Sequence, residues 1–196
     1  YTSSLQIKNY PSKMKYCSSC GSKVELKVPQ DDHFPRYCCT NCDAIHYQNP
    51  NIVTGTIPIM KDRVLLCKRA IHPRPGMWTL PAGFLENGET LGQGAFRETL
   101  EETNTEVKMG NLYAIFNIPQ ISQIYMLFFA EVLREDFGKT PESLEVKLFK
   151  EEEIPWQELA FPFVPIVLKN YFADRKDNKF DLKVETIERP VKKTNQ

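Results

Sequence analysis

The chain has 196 residues, 41% of them hydrophobic, and its 25 basic side chains balance 25 acidic ones to a net charge of zero. That length can bury one full core and carry a small accessory module. The charge balance argues against a broad basic grip on nucleic acid, and the apolar runs, such as "IYMLFFA", are strand-sized rather than membrane-spanning. Neither nucleic acid nor a membrane is therefore an expected partner.

Residues 11–50 are rich in Cys, Ser, Asp and Pro and show little apolar periodicity. Cys17/Cys20 and Cys39/Cys42 form two Cys-x2-Cys pairs separated by residues 21–38. Two residues between thiolates let a tight turn aim both sulfurs at one point, and two such turns complete a tetrahedral zinc shell. Gly21, directly after the first pair, suits a turn that needs positive φ. A segment this poor in apolar side chains gains its missing stability from a structural zinc. Disulfides or free thiols are the alternative, and the doubled spacing disfavours them. Cys38 is ambiguous but has three residues between it and Cys42 instead of two, and four cysteines close the shell without His33 or His46. Lys13, Lys15, Lys23, Lys27 and Arg36 are mixed with Glu25, Asp31, Asp32 and Asp43, so the ribbon presents no nucleic-acid face.

Next come "NIVTGTIPIM" and "RVLLCKRA", β-branched runs separated by "KD", which read as a hairpin; Cys67 within the second reads as a small buried hydrophobe. "GMWTLPAGFLENGET" is broken by Gly and Pro and reads as loop around a short strand. From Thr90 the pattern is helical, with Leu91, Ala95, Phe96 and Leu100 apolar and Asn104 placed to stop the helix in the αL conformation. Two more strands follow in "EVKMGNLYAIFNIP" and "ISQIYMLFFAEV", then a strand and turn in "VKLFKEEEIP", then a helix in "PFVPIVLKNYFADRK". Strands flanked by helices make a mixed α/β sandwich. The expected division is a ribbon at 11–50, a catalytic domain at 51–173 and a charged extension at 174–196 that adds at most one strand to the domain.

The chemistry concentrates in "PAGFLENGETLGQGAFRETLEETNT". Glu98, Glu101 and Glu102 stand at i, i+3 and i+4 and share one helical face, where like charges repel. Arg97 can reach back to Glu89 and fasten the preceding loop to the helix. Clustered carboxylates suit hard divalent cations, Mg²⁺ or Mn²⁺, with a backbone carbonyl from the glycine turn assisting. A solvated acidic face is the alternative; the order and spacing of the whole stretch weigh against it.

That stretch closely resembles the Nudix hydrolase signature, G-x5-E-x7-R-E-U-x-E-E-x-G-U, with U a bulky apolar residue. Gly83, Glu89, Arg97, Glu98, Glu101 and Glu102 fall on its positions; Thr99, Asn104 and Thr105 depart from it. The resemblance implies an α/β/α Nudix sandwich with a mixed sheet, preceded here by a small zinc ribbon. The ribbon followed by "YQNPNIVTGTIP", "VLLCKRAIHPRPGMWTLPAGFLENGE", "PESLEVKLFKEEEIPW" and "LAFP" looks like the plant chloroplast FAD pyrophosphohydrolases and their bacterial relatives. The implied reaction is FAD to FMN and AMP, with ADP-ribose as a second substrate. Zinc-ribbon NADH pyrophosphatases are near neighbours, but their S-Q-P-W-P-F-P-x-S array is missing here. Carried onto this chain, Glu98, Glu101, Glu102 and Gly83 would hold Mg²⁺ or Mn²⁺, and Cys17, Cys20, Cys39 and Cys42 the zinc.

Glu142 is the first candidate for a general base from a later loop, with Glu145 second and Glu98 a further option. Arg69 could meet a substrate phosphate or simply lie on the surface, and Trp78 and Phe84 could stack on a flat ring, though aromatic residues near a core more often pack in it. A nucleotide sensor that no longer cleaves, with the ribbon docking a partner, and an RNA-directed enzyme are the competing readings. The intact glutamate set speaks against the first and the zero net charge against the second. A homodimer is a further expectation by resemblance. A first residue other than Met fits a removed leader, hence a chloroplast location for a plant or alga and a cytoplasmic one otherwise.

Overall fold

The computed structural model describes residues 14–188, so the first residues of the expected ribbon (11–13) and the end of the expected extension (189–196) lie outside it. The chain divides into two compact units between Pro50 and Asn51.

The first unit is a three-stranded antiparallel sheet of β1 (Val24–Lys27), β2 (Arg36–Cys39) and β3 (Ile45–His46), with β2 in the centre. Its turns aim four sulfurs at one point: the Sγ atoms of Cys17, Cys20, Cys39 and Cys42 all lie within 4.8 Å of one another. Gly21 has φ +73°, and its N–H donates to the Cys17 carbonyl at 2.9 Å, closing the first knuckle. Backbone N–H groups of Ser19 and Asn41 donate to the sulfurs of Cys17 and Cys39, each at 3.3 Å. Cys38 is buried on the opposite side of β2 and is not in the cluster.

The second unit holds β4 (Asn51–Met60), β5 (Arg63–Arg69), β6 (Trp78–Thr79), β7 (Ala82–Phe84), α1 (Leu91–Thr103), β8 (Val107–Ile118), β9 (Gln123–Val132), β10 (Ser143–Phe149), α2 (Phe163–Asp177) and β11 (Lys183–Thr186). The sheet order is β10-β5-β4-β9-β8-β11, with β4/β9 and β8/β11 parallel and the other pairs of that path antiparallel. The expected hairpin forms at Lys61, whose φ is 58°. β4 and β5 pair only at Ile59↔Val64 and Met60↔Arg63, then diverge. β6 takes up the freed edge of β5, and β7 the freed edge of β4 at Val53–Gly55. This fork in the sheet supplies the walls of the cleft described below. Gly55 permits it, because a Cβ there would collide with Pro81 and Ala82.

The two faces of the sheet differ. Ile57 and Ile59 of β4 share the main apolar cluster with Phe163, Val167 and Tyr171 of α2. On the other face, Thr54 and Thr56 meet α1: Thr54 Oγ1 donates to the Leu91 carbonyl at 3.0 Å, and the Thr56 and Thr99 hydroxyls are 2.7 Å apart. The buried positions of α1 are Gly94, Ala95, Thr99, Glu102 and Thr103, whereas the apolar Leu100 is exposed. A small, hydroxyl-bearing helix face lets α1 approach β4 closely, and each hydroxyl finds a partner. Thr99, which departs from the signature, is among them and pairs with Thr56; Thr105, which also departs, lies just past the helix and donates from Oγ1 to Asp136 Oδ1 at 2.6 Å.

Thr90 caps α1 with its side chain on the Gln93 N–H, and Asn104 ends it at φ 56°. α2 continues through Asp177, past the boundary expected at 173, before Asn178 turns left-handed. The chain then adds β11 beside β8. Lys183 Nζ reaches Asp174 Oδ2 at 2.8 Å, and Asn170 Nδ2 donates to Glu185 Oε1 at 2.9 Å, so this strand is tied to both sheet and helix.

Candidate active site

Helix α1 presents the carboxylates at graded depth. The Glu101 side chain is 53% exposed and that of Glu98 12%, while Glu102 is buried. Arg97 organises their outer side. Its Nη2 and Nε grip both oxygens of Glu89 at 2.7 and 3.1 Å, a bidentate pair. Its Nη1 donates to Glu98 Oε1 at 2.7 Å and to Glu101 Oε2 at 3.0 Å, and its Nη2 also reaches the Phe84 carbonyl at 3.1 Å. Glu89 Oε1 accepts the Glu86 N–H at 2.7 Å as well, so one guanidinium fastens the 84–89 loop to the helix. Bonding to Arg97 holds Glu89 below its ordinary carboxylate range.

Glu102 lies deepest. Its Oε2 accepts the Ala82 N–H at 3.1 Å and lies 3.6 Å from the Cys67 thiol. Burial pushes it up to about 7, against the Ala82 N–H and with help from the Glu98 charge. Burial also raises Glu98, opposed by Arg97. Burial and then the Glu102 charge raise the Cys67 thiol, which donates to the Thr79 carbonyl at 3.5 Å and stays a neutral, packed group. Gly83 stands directly against Glu98: a Cβ there would collide with the carboxylate. The missing side chain brings β7 backbone and carboxylate together, as a shared oxygen site requires. An all-oxygen donor set on one helical face, with the Arg69 charge felt at Glu102, suits a hard divalent cation.

These groups open into a cleft of about 570 Å³. Glu142 lines it from the loop before β10, and its charge is felt at both Glu98 and Glu102. Glu145 lies on β10 opposite Lys68 and is not among the cleft residues. Phe84, half exposed, lines one wall. Trp78 does not. It is 5% exposed and packs edge-on against Phe149 at 4.9 Å, because alternation along β6 sends Thr79 to the cleft and Trp78 to the core. Arg69 does reach the cleft, but its Nε and Nη2 donate to the Pro73 and His72 carbonyls at 2.7 and 3.4 Å. Sequence reasoning missed His72, Tyr125 and Phe161, which also line the cleft. Phe161 sits in "LAFP", a segment quoted for its resemblance alone; no local pattern marks Tyr125 or His72.

Residues 50–169 match the NUDIX domain and residues 15–48 the zinc ribbon described as Nudix N-terminal. The chain belongs to the Nudix family. A NUDIX hydrolase structure from Nitrosomonas europaea superposes with a TM-score of 0.87 at 52% identity, covering 90% of this chain and all (100%) of that one. The NAD-capped RNA hydrolase NudC of Photorhabdus laumondii is 28% identical over 142 residues, 71% of this chain and 52% of its own length. An ADP-ribose pyrophosphatase of Methanocaldococcus jannaschii is 29% identical over 129 residues, 64% of this chain and 75% of its own. The chain thus spans about half the length of the NudC protein it matches. The acidic face of α1 suits the Mg²⁺ or Mn²⁺ that Nudix enzymes use, and the four ribbon sulfurs suit a structural zinc.

Proposed function

We propose that the protein hydrolyses the diphosphate bridge of a dinucleotide: FAD and water to FMN and AMP first, ADP-ribose second. The observation that carries this reading is the pairing, in one cleft, of the Glu98/Glu101/Glu102 cluster with aromatic walls at Phe84, Tyr125 and Phe161. The first suits a metal-neutralised diphosphate and the second a flat ring. On this reading Glu98, Glu101, Glu102 and the Gly83 carbonyl hold Mg²⁺ or Mn²⁺. Bound there, the cation neutralises the diphosphate oxygens and acidifies water. Glu142 takes the proton of the attacking water. Arg97 and Glu89 touch no substrate; they hold the loop and the outer carboxylates in place.

Two observations favour a second reading, cleavage of NADH or of an NAD cap on RNA: the similarity to NudC proteins and the ribbon ahead of the catalytic unit. Zero net charge does not exclude an RNA substrate whose cap alone enters the cleft. The S-Q-P-W-P-F-P-x-S array of the NADH enzymes is absent, which keeps this reading second. The relatives come from bacteria and an archaeon and lend the plastid location no support.

The test incubates the protein with Mg²⁺ or Mn²⁺ and equal FAD, ADP-ribose, NADH and NAD-capped RNA, with products separated by chromatography. FMN plus AMP appearing fastest, and lost in the Glu101→Gln, Glu102→Gln double variant, supports the first reading. Preference for NADH or the capped RNA replaces it with the second. Binding of FAD without turnover of any substrate leaves a nucleotide sensor.

A further inference from the structure

Arg69 ends β5 inside the cleft with only 8% of its surface exposed. Its guanidinium donates to the Pro73 and His72 carbonyls through Nε and Nη2, and its Cζ lies over the Phe161 ring, 5.1 Å from the centroid. Its own backbone closes the same loop: the Arg69 N–H donates to Met77 at 2.9 Å, and its carbonyl accepts from Gly76 at 2.8 Å. The Ala70 N–H donates to the Glu142 carbonyl at 2.8 Å, joining the loop to the segment that carries Glu142.

Phe161 is held from the other side. The preceding Ala160 donates its N–H to the Trp78 carbonyl at 2.7 Å and accepts from Arg74 Nη1. The Phe161 ring runs parallel to that of Phe163, with centroids 6.0 Å apart and an interplanar angle of 6°. Loop 70–76 and Phe161 are therefore tied together through two arginines, and Arg69 touches both. Two of the five guanidinium N–H groups are taken by carbonyls of this loop, and the point charge of lysine cannot reproduce the planar arrangement.

We propose that Arg69 is a positioning residue that fixes loop 70–76 and Phe161 as one wall, and that this wall, together with Phe84, selects substrates carrying a flat ring on the half that is not adenosine. The selection rests on the dinucleotide reading above; the anchoring does not. The wall gives FAD a surface that ADP-ribose, which ends in a bare sugar, does not use.

The test compares wild type with Arg69→Lys and Phe84→Leu, after checking that all three melt alike. Hydrogen exchange reads the anchor: in Arg69→Lys the amides of 70–77 exchange on the order of tenfold faster, the rest of the chain unchanged. Steady-state kinetics read the selection: KM for FAD rises roughly tenfold in both variants, kcat stays within about twofold, and KM for ADP-ribose stays within about threefold. Phe84→Leu leaves exchange in the loop as it was. Unchanged exchange in Arg69→Lys overturns the anchor. Equal KM rises with both substrates place the shared adenine on the wall and overturn the selection. A fall in kcat of about a hundredfold on both substrates makes Arg69 a phosphate contact instead. If wild type cleaves neither substrate, the FAD and ADP-ribose reading fails, exchange still decides the anchor, and FAD binding followed by its fluorescence replaces KM.

Discussion

The protein carries two clusters suited to metals, and they are built in opposite ways. The four sulfurs of the ribbon sit within 4.8 Å of one another, close their own shell and leave no position for a substrate. The carboxylates of α1 run from exposed Glu101 to buried Glu102 and open onto a cleft. The ribbon has few buried apolar side chains around its sulfurs, whereas α1 is capped, packed on β4 and locked by Arg97 with no ion needed to shape it. One metal makes its fold; the other is received by a fold already made.

Removing zinc should break this comparison most visibly. With four thiols this close, their electrostatics conflict: against the upward push of burial, the N–H groups of Cys20 and Ser19 bring Cys17 down to about 5. Despite the Ala44 N–H, its cysteine neighbours push Cys42 up to about 12. A zinc ion resolves the conflict by holding all four as thiolates. Cys39→Ser, or chelation, should cost the ribbon most of roughly 10–16 kcal/mol of folding energy. Its amide signals should collapse to random-coil positions in an NMR spectrum, while the sheet of the second unit keeps its dispersion. A ribbon that stays folded without zinc would refute the contrast.

The oxygen cluster should respond in activity instead. Glu102→Gln is expected to lower kcat on the order of 100- to 1,000-fold with the spectrum of the fold intact. A smaller effect sharpens the picture by moving the essential ligand outward to Glu98 or Glu101. The pH dependence of stability carries the same message. Glu102 titrates higher folded than unfolded, so its stabilising contribution is complete below about 4.5 and is lost as pH rises through about 7. The metal-free protein should therefore be less stable at pH 8.5 than at pH 5 by up to about 3 kcal/mol from this group. Glu102→Gln should flatten that slope, and Mg²⁺ or Mn²⁺ should raise the melting temperature more at the higher pH. The smallest effect belongs to the helix itself: Thr90→Ala removes the cap and should cost about 1 kcal/mol in denaturant melts without changing KM.

Much of this was legible locally. Spacing alone brought the four cysteines together, because a knuckle is made by adjacent residues. The helix boundaries at Thr90 and Asn104 were readable for the same reason, as was the Arg97–Glu89 pair, which spans the N-cap and about two helical turns. The hairpin at Lys61 followed from two β-branched runs and a short break. What the sequence left open had a common cause. Leu100 is apolar yet exposed, and Trp78 is aromatic yet turned to the core, because each depends on which face of its element meets a distant strand. Arg69, open to a phosphate contact or a surface place from its position at a strand end, also bonds carbonyls of a loop whose path the composition does not reveal. Phe161 and Tyr125 reach the cleft from segments far along the chain.

By itself, then, the sequence determined the family, the two metal chemistries and the shared helical face of the glutamates. These rest on contacts within a few residues, where backbone geometry leaves little choice. Only the tertiary structure decided how deep Glu102 lies, where the cleft opens and what lines it. The cleft exists because β4 and β5 part after one short pairing and β6 and β7 take up the freed edges. Such a fork is settled by packing across the whole sheet, against α2 on one face and the threonine-lined approach of α1 on the other.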